Sequence, residues 1–486
     1  MSWIAGVLRA VCQLQLPDKK PLSPAPDDAE VAGTSGCDSD RRTPEELLGE
    51  ALIDITFAWP EWVHRRVDSI HPLEGEIGRR RHSIDCEPPP DPRLAYFPGH
   101  RHLESLAETK GLVMVPLTYI SKGPLRNFDA ERPDGTKMPV LGAVETTQAG
   151  VAMIQYLLKI ENVEVTNELT IALTEIVSPT TSASDLPEVE AFISTGKWRE
   201  EQIVARESLS NRAAAELIKV LAAKFLLIGL VEAHHAGDRQ ILKFSYHWHV
   251  EANEGQSIWK TIKVASRLSS RSLALPLDAP AATRSYHLEF HTPKELECVL
   301  MTLPGNTSQG HRADDSHMPV AHTHGTFDDE PTDDAVVIFK VSPRGPFRAA
   351  FLAALFCTLV VFAALLLPDA KSVWRAHPDG PATTLLTAPA LLFTFLAARG
   401  ESALLRRPRG VLRFLIGSSA GSLFLIAASL VGDLQDPWLN ILWWVIAIWN
   451  ALIVFMLTTG HVKNHSGSNN PDSLPATAID GRSKVR

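Results

Sequence analysis

Residues 349–367 read AAFLAALFCTLVVFAALLL, an apolar run without a charge. Further runs follow at Ala382–Ala398, Val411–Val431 and Trp438–Thr459. A helix needs roughly 20 apolar residues to cross the hydrocarbon core of a bilayer. The four runs predict an all-α four-helix transmembrane region, of which Ala382–Ala398 is the shortest and holds Pro389. Everything ahead of them reads as an α+β soluble region that ends in a membrane-proximal β-sandwich.

Charge orients the runs. The loop between the second and third carries Arg399, Arg406, Arg407 and Arg409, with Arg413 just inside the third. The segment Gly432–Pro437 has two aspartates and no base. Cations concentrate on the cytoplasmic side, so an even number of crossings puts the soluble region and the tail in the cytoplasm. The expected location is the cell membrane, as a multi-pass protein. The opening stretch Trp3–Leu16 is interrupted by Arg9 and lacks the features of a signal peptide. It reads as a short amphipathic helix, lying on the body's own surface or on a membrane.

The formal charge of −9 splits into about −14 before Gly345 and about +5 from there on. So acidic a soluble part argues against a nucleic-acid partner, which needs a basic face. The basic run Arg79-Arg80-Arg81-His82 reads as a solvated loop. Cys12, Cys37, Cys86, Cys298 and Cys357 form no CxxC and suggest neither a disulfide framework nor a zinc knuckle.

Composition and periodicity divide the chain. Residues 1–42 combine the short helix with a Pro/Asp/Ser/Gly-rich disordered linker. A helix opens at Thr43-Pro44-Glu45-Glu46 and buries Leu47, Leu48, Ala51, Leu52 and Ile55. Two strands are predicted at Leu112–Ile120 and Met138–Leu141, with a turn at Asp134-Gly135 between them, then a helix over Glu145–Ile160. Asn211–Ala233 is apolar, but Glu216, Lys219 and Lys224 make it a core helix rather than a span. Residues 43–240 thus form the α+β part. From Ile241 the period becomes two: Leu242, Phe244, Tyr246, Trp248 and Val250 alternate with polar residues. Further strands are expected at Ile258–Ala265, Leu273–Leu277, Ser285–His291, Leu296–Leu303 and Ala335–Val341, with Gly305–Asp334 as a loop. Residues 241–342 would be the β-sandwich, and 460–486 a disordered tail.

Candidate chemistry is sparse. Gly417-Ser418-Ser419-Ala420-Gly421 is formally a GxSxG, with Ser419 as the one serine an intramembrane hydrolase could use. The same residues form a GxxxG, so Gly417 and Gly421 read as a helix-packing face open to homo-oligomerisation. Histidines recur at His234-His235, His247 with His249, His287 with His291, and His317 with His322 and His324. His247 and His249 share a strand face, and the last triplet lies among Asp314, Asp315, Asp328 and Asp329. Metal or weak cation binding is conceivable at either, against solvated histidines. Asn440 and Asn450 suggest inter-helix hydrogen bonds, and Trp438, Trp443 and Trp444 an interfacial belt. P-loop, GxGxxG and HExxH motifs are absent. No catalytic, cofactor-binding or metal residue is assigned from the sequence, and no cofactor is implied.

The residues Arg126-Asn127-Phe128-Asp129, Asp134-Gly135 and Pro139-Val140-Leu141 resemble a group of uncharacterised predicted membrane proteins of actinobacteria. So does Ser285-Tyr286-His287-Leu288-Glu289-Phe290 with Pro293 and Leu296 after it. That resemblance carries no activity and no functional residue. The reading is a non-enzymatic, membrane-anchored binding or sensing module with an unidentified protein partner and the lipid bilayer around its anchor. The alternatives are a regulated subunit of a small transporter or channel, and an intramembrane hydrolase.

Overall fold

The computed structural model describes residues 42–73, 77–95, 111–181, 183–199, 202–203, 209–210, 212–249, 258–304, 320–327, 331, 333–343, 346–367, 373, 380, 403–431 and 437–466. The expected N-terminal amphipathic helix and linker, the run Ala382–Ala398 and most of the tail lie outside them.

The first helix, α1 (Pro44–Phe57), starts where its capping signal puts it. The Thr43 hydroxyl accepts from the Glu46 amide, and the Glu46 carboxylate accepts from the Thr43 amide. Its buried side rests on α2 (Ala143–Ile160), and Lys159 of α2 pairs with Glu46 at 2.7 Å. The two helices meet backbone to backbone. A Cβ placed on Gly49 would lie 2.2 Å from the Ala152 carbonyl oxygen.

Strands β1 (Val63–Pro72) and β2 (Ile77–Cys86) form an antiparallel pair, and β3 (Leu112–Ser121) and β4 (Arg126–Glu131) follow. After α2 come α3 (Asn167–Val177), α4 (Leu186–Thr195) and the short pair β5 (Lys197–Trp198) and β6 (Gln202–Ile203). Next are α5 (Ala213–Ala223), β7 (Lys224–Glu232) and β8 (Gln240–His249). The later body holds α6 (Ile258–Ala265), β9 (Arg271–Leu275), β10 (Tyr286–His291), β11 (Leu296–Thr302), β12 (Val320–Gly325) and β13 (Ala335–Val341).

One sheet organises the body. It has six strands in the order β12-β10-β1-β2-β8-β4, with β1 and β10 parallel and the other neighbours antiparallel. It has two packing partners. Ile84 and Cys86 of β2, and Leu242, Phe244 and Tyr246 of β8, share a core with the helices and the antiparallel pair β3–β7. Ile70, Tyr286, Leu288 and Phe290 share a second core with the three-stranded sheet β11-β13-β9.

Several expectations change. The division expected at residue 240 runs through the six-stranded sheet, because β1 and β2 sit between β10 and β8. The strand expected at Ile258–Ala265 is a helix; its apolar residues Ile258, Ile262, Val264 and Ala265 recur at a spacing that serves either period over so short a run. The helix expected over Asn211–Ala233 stops at Ala223. Beyond it Phe225-Leu226-Leu227-Ile228 is the inner strand of the β3–β7 pair, where a continuous apolar run suits burial on both faces. The loop Gly305–Asp334 contains β12. The Asp134-Gly135 turn exists, with Gly135 at φ +81°, but it follows β4 rather than β3. Met138–Leu141 is reduced to the isolated bridge Val140–Gly229.

The apolar end of the chain folds into α7 (Pro346–Leu366), α8 (Ala403–Val431) and α9 (Trp438–Ser466). Among the described residues two stretches, not the four expected, are helical, long and apolar enough to cross a membrane: Pro408–Val431 and Trp438–Thr459. The apolar helix Phe347–Ala363 falls short of the roughly 20 residues a crossing takes. Asn450 is fully buried and donates to the Ser422 hydroxyl of α8 at 3.2 Å, an inter-helix bond of the kind expected. Trp443 is buried too and donates to Ser429, so of the expected belt Trp438 and Trp444 alone are exposed. Cβ atoms at Gly417 and Gly421 would meet nothing within 4 Å, so neither glycine brings the described helices together.

Candidate functional site

The run Arg79-Arg80-Arg81-His82 is the middle of β2, not a loop. Alternation sends Arg79 and Arg81 outward and carries Arg80 and His82 into the interior, 3% and 0% exposed. On the neighbouring strand the same face of β1 presents Arg66 and Asp68, both fully buried. Four ionisable side chains therefore meet under the sheet.

Asp68 accepts hydrogen bonds from Arg80 Nη2 at 2.8 Å, His82 Nδ1 at 2.5 Å and Tyr286 Oη at 2.6 Å. Arg80 also reaches Asp278 through Nη1 at 2.8 Å, and Tyr246 donates to the same carboxylate at 3.2 Å. Arg66 donates to the Asp278 carbonyl at 2.9 Å, to the Leu117 carbonyl and to Thr118. The two arginines balance Asp68 and Asp278, which is the condition for burying charge. Burial works to raise the Asp68 pKa, but His82 and Arg80 outweigh it and hold the carboxyl well below its usual range. The Tyr246 and Tyr286 phenols are pushed well up, first by burial and then by the nearby aspartates.

Asp68, His82 and Asp278 place ligand atoms close enough to hold a metal ion. The donors already in place argue otherwise. Arg80 bridges the two carboxylates with its own positive charge, and Asp68 also accepts from His82 and Tyr286. The His82 ring is stacked on Phe244 at 4.4 Å, and its Nε2 has no hydrogen-bond partner, with Asp278 3.8 Å away. The arrangement is a structural ion-pair network.

Above the network lies a cavity of about 800 Å³. Its walls come from the end of β3, the start of β7, α4, α5, the end of β8 and the segments around Asp278 and Asp334. Tyr119, Tyr246 and Trp248 supply aromatic surface, and Leu125, Leu186 and Leu277 aliphatic surface. Lys219 and Lys224 contribute positive charge, and Glu190, Asp333 and Asp334 negative charge. Arg80, Tyr246 and Asp278 belong to both the network and the cavity lining, so the ion pairs fix the cavity floor. Lys122, another lining residue, donates to the Ile176 and Ser178 carbonyls, and burial brings its pKa down to about 8. Burial first, and the neighbouring Asp333 second, raise the Asp334 carboxyl.

The candidate residues recognised in the sequence scatter. His247 and His249 both line the cavity, and His247 is bonded to Asn127 at 3.1 Å. His234 and His235 sit with Glu232 at the end of β7, close enough to share an ion. His287, His322 and His324 come together on β10 and β12, while His291 stacks on His71 instead. His317, Asp314, Asp315, Asp328 and Asp329 lie outside the described residues. Ser419 is buried in α8, and among the described residues its hydroxyl has no hydrogen-bond partner. Cys86, Cys298 and Cys357 are buried free thiols.

Sequence reading missed Arg66, Asp68, Arg80, His82 and Asp278. For the first four the one signal was charge concentrated inside segments of strand length, Arg65-Arg66-Val67-Asp68 and Arg79-Arg80-Arg81-His82. No family model and no curated protein matches the chain.

Proposed function

We propose that this protein is a membrane-anchored binding module whose ligand sits in the cavity above the Arg80–Asp278 pair. The observation that carries this reading is the cavity itself. It has the volume of small-molecule sites, aromatic walls, a few charged groups of both signs, and a floor held rigid by buried ion pairs. Such a lining suits a small organic molecule with an apolar body and a polar or zwitterionic end. Leu277→Trp fills the cavity from a half-buried wall position. Native mass spectrometry of detergent-extracted protein is expected to find a bound small molecule in the natural chain and at least ~10-fold less in the variant. An empty natural chain, or equal loading of both, refutes the reading.

The anchor is proposed as four crossings with the body in the cytoplasm. Phe347 and Ala350 of α7, Leu412 and Leu415 of α8, and Ile453 and Leu457 of α9 cluster with Val264 and Val341 of the body. Cys357 and Val361, Leu423 and Leu430, and Trp443 and Ile446 cluster at the other end. Hence α7 and α8 both run away from the body, and α9 runs back. The second crossing is proposed for the apolar run Ala382–Ala398, which lies outside the described residues. Leu352, Phe356 and Leu359 of α7 are half exposed or more, an apolar surface that lipid would cover. The body also sits at the arginine-rich end of α8, which the positive-inside rule assigns to the cytoplasm. The open Gly417–Gly421 face is left for self-association. Single cysteines at Asp379 and Asp433, in a background without the native five, test the topology in intact cells. Labelling by a membrane-impermeant maleimide is expected at both, and protection of both puts the body outside.

A further inference from the structure

We propose that His287, His322 and His324 form a three-imidazole site for a first-row transition-metal ion of the zinc and copper class. The inference is independent of the cavity. It concerns the opposite face of the sheet, where residues alternating with the buried Tyr286, Leu288 and Phe290 point outward.

The register makes the site. In the antiparallel pair β10–β12, His287 lies opposite His324, and Glu289 opposite His322. His322 and His324, two apart on one strand, share a face, and His287 stands across from them. A His-x-His strand with a third histidine from its neighbour gives three ligands and leaves a fourth position for water. The three ring centroids form a triangle with sides of 5.2, 5.5 and 6.0 Å. His287 Nδ1 and His322 Nε2 are 3.0 Å apart. Two nitrogens bound at 2.0–2.1 Å to one tetrahedral ion would be roughly 3.3 Å apart, so this pair needs almost no movement. Bringing a nitrogen of the exposed His324 to the same point takes a rotation of that side chain.

The surroundings fit. Ser285 Oγ lies 3.0 Å from His287 Nε2, so the nitrogen turned away from the site is held by a hydroxyl. Such partners set the tautomer and ring direction of ligating histidines. Arg65 opposes a cation and Glu289 favours one. Imidazole-only ligation selects zinc, copper, nickel or cobalt over magnesium and calcium.

The test uses full-length protein without a polyhistidine tag, extracted in detergent, stripped with chelator and titrated with Co²⁺. One equivalent is expected to bind with the intense visible bands of a four- or five-coordinate ion, and Zn²⁺ is expected to displace it. His322→Gln and His324→Gln sit on exposed positions of a folded edge strand. Each is expected to lower affinity by more than Ser285→Ala, which removes the hydroxyl beside His287 Nε2 and is expected to cost ~10–100-fold. His234→Gln is expected to leave binding unchanged. Absence of stoichiometric Co²⁺ binding overturns the proposal. So does binding that survives His322→Gln and His324→Gln, or that is lost with His234→Gln.

Discussion

Asp68→Asn is expected to destabilise the body by about 3–5 kcal/mol, the usual result of removing one partner from a buried ion pair. The side chain is fully buried and accepts from Arg80, His82 and Tyr286, so the amide would leave Arg80 without half of its counter-charge. Urea unfolding of the detergent-extracted chain, followed by tryptophan fluorescence, measures the loss. A change under about 1 kcal/mol would show that the network is not a structural ion-pair system. The double change Asp68→Leu with Arg80→Met is expected to cost less than the two single changes summed, since each single leaves a charge unpaired. pH supplies a second readout. The Asp68 pKa is lower in the folded chain than its ordinary value of 3.8, so its stabilisation is complete above that value. It is lost as pH falls below 3.8, because the unfolded chain takes up the proton first. Asp68→Asn is therefore expected to flatten the acid limb of the stability profile.

Gly49→Ala is the second change with a large expected effect, and the competing terms have opposite sign. Alanine in a helix interior is favoured over glycine by about 1 kcal/mol. Against that, the new Cβ would stand 2.2 Å from the Ala152 carbonyl oxygen and 2.7 Å from its carbonyl carbon. Both are backbone atoms of α2, so relief requires the two helices to separate. Overpacking costs about 1–3 kcal/mol where side chains can give, and here they cannot. A net loss above about 2 kcal/mol is expected in the same unfolding assay, with a greater loss for Gly49→Val. Gly150→Ala is the control: its Cβ would meet the ends of the Val177 and Leu221 side chains at 3.0 and 3.2 Å, which can yield. Equal effects at the two glycines would contradict the close helix approach.

Much of the fold was legible where residue type and burial agree. The capping box at Thr43, the apolar stripe of α2 and the alternation of β8 and β10 mark elements that the structure contains. Reading failed where the inward face is polar. In β2 the first three interior positions are Gly78, Arg80 and His82 and only Ile84 and Cys86 are apolar, so the period-two hydrophobic signal is lost over most of the strand although the burial alternates. The same charge that hid the strand makes the network. Reading failed again at Lys224, where one apolar stretch changes from helix to strand without a glycine or proline to mark it. Short runs such as Ile258–Ala265 satisfy either period, and their neighbours decide. The candidate site was illegible for a different reason. Asp68, Arg80 and Asp278 are distant in sequence, and only the pairing of β1 with β2 and the course of the chain after β9 bring them together. The histidine triangle needs the register of β12, a strand with two histidines and a threonine among its six residues.

The parallel pairing of β1 with β10 sets an order of events during synthesis. Arg66 of β1 pairs with Tyr286, and the centre of the main sheet stays open until that residue has left the ribosome. Contacts so far apart in the chain close slowly. By then the next long segment to emerge is α7, the first of the apolar helices. Under the proposed anchoring, closure of the body and delivery of the apolar helices to a membrane fall in the same short interval. Until then β1 presents an unpaired edge, a surface for chaperones to guard.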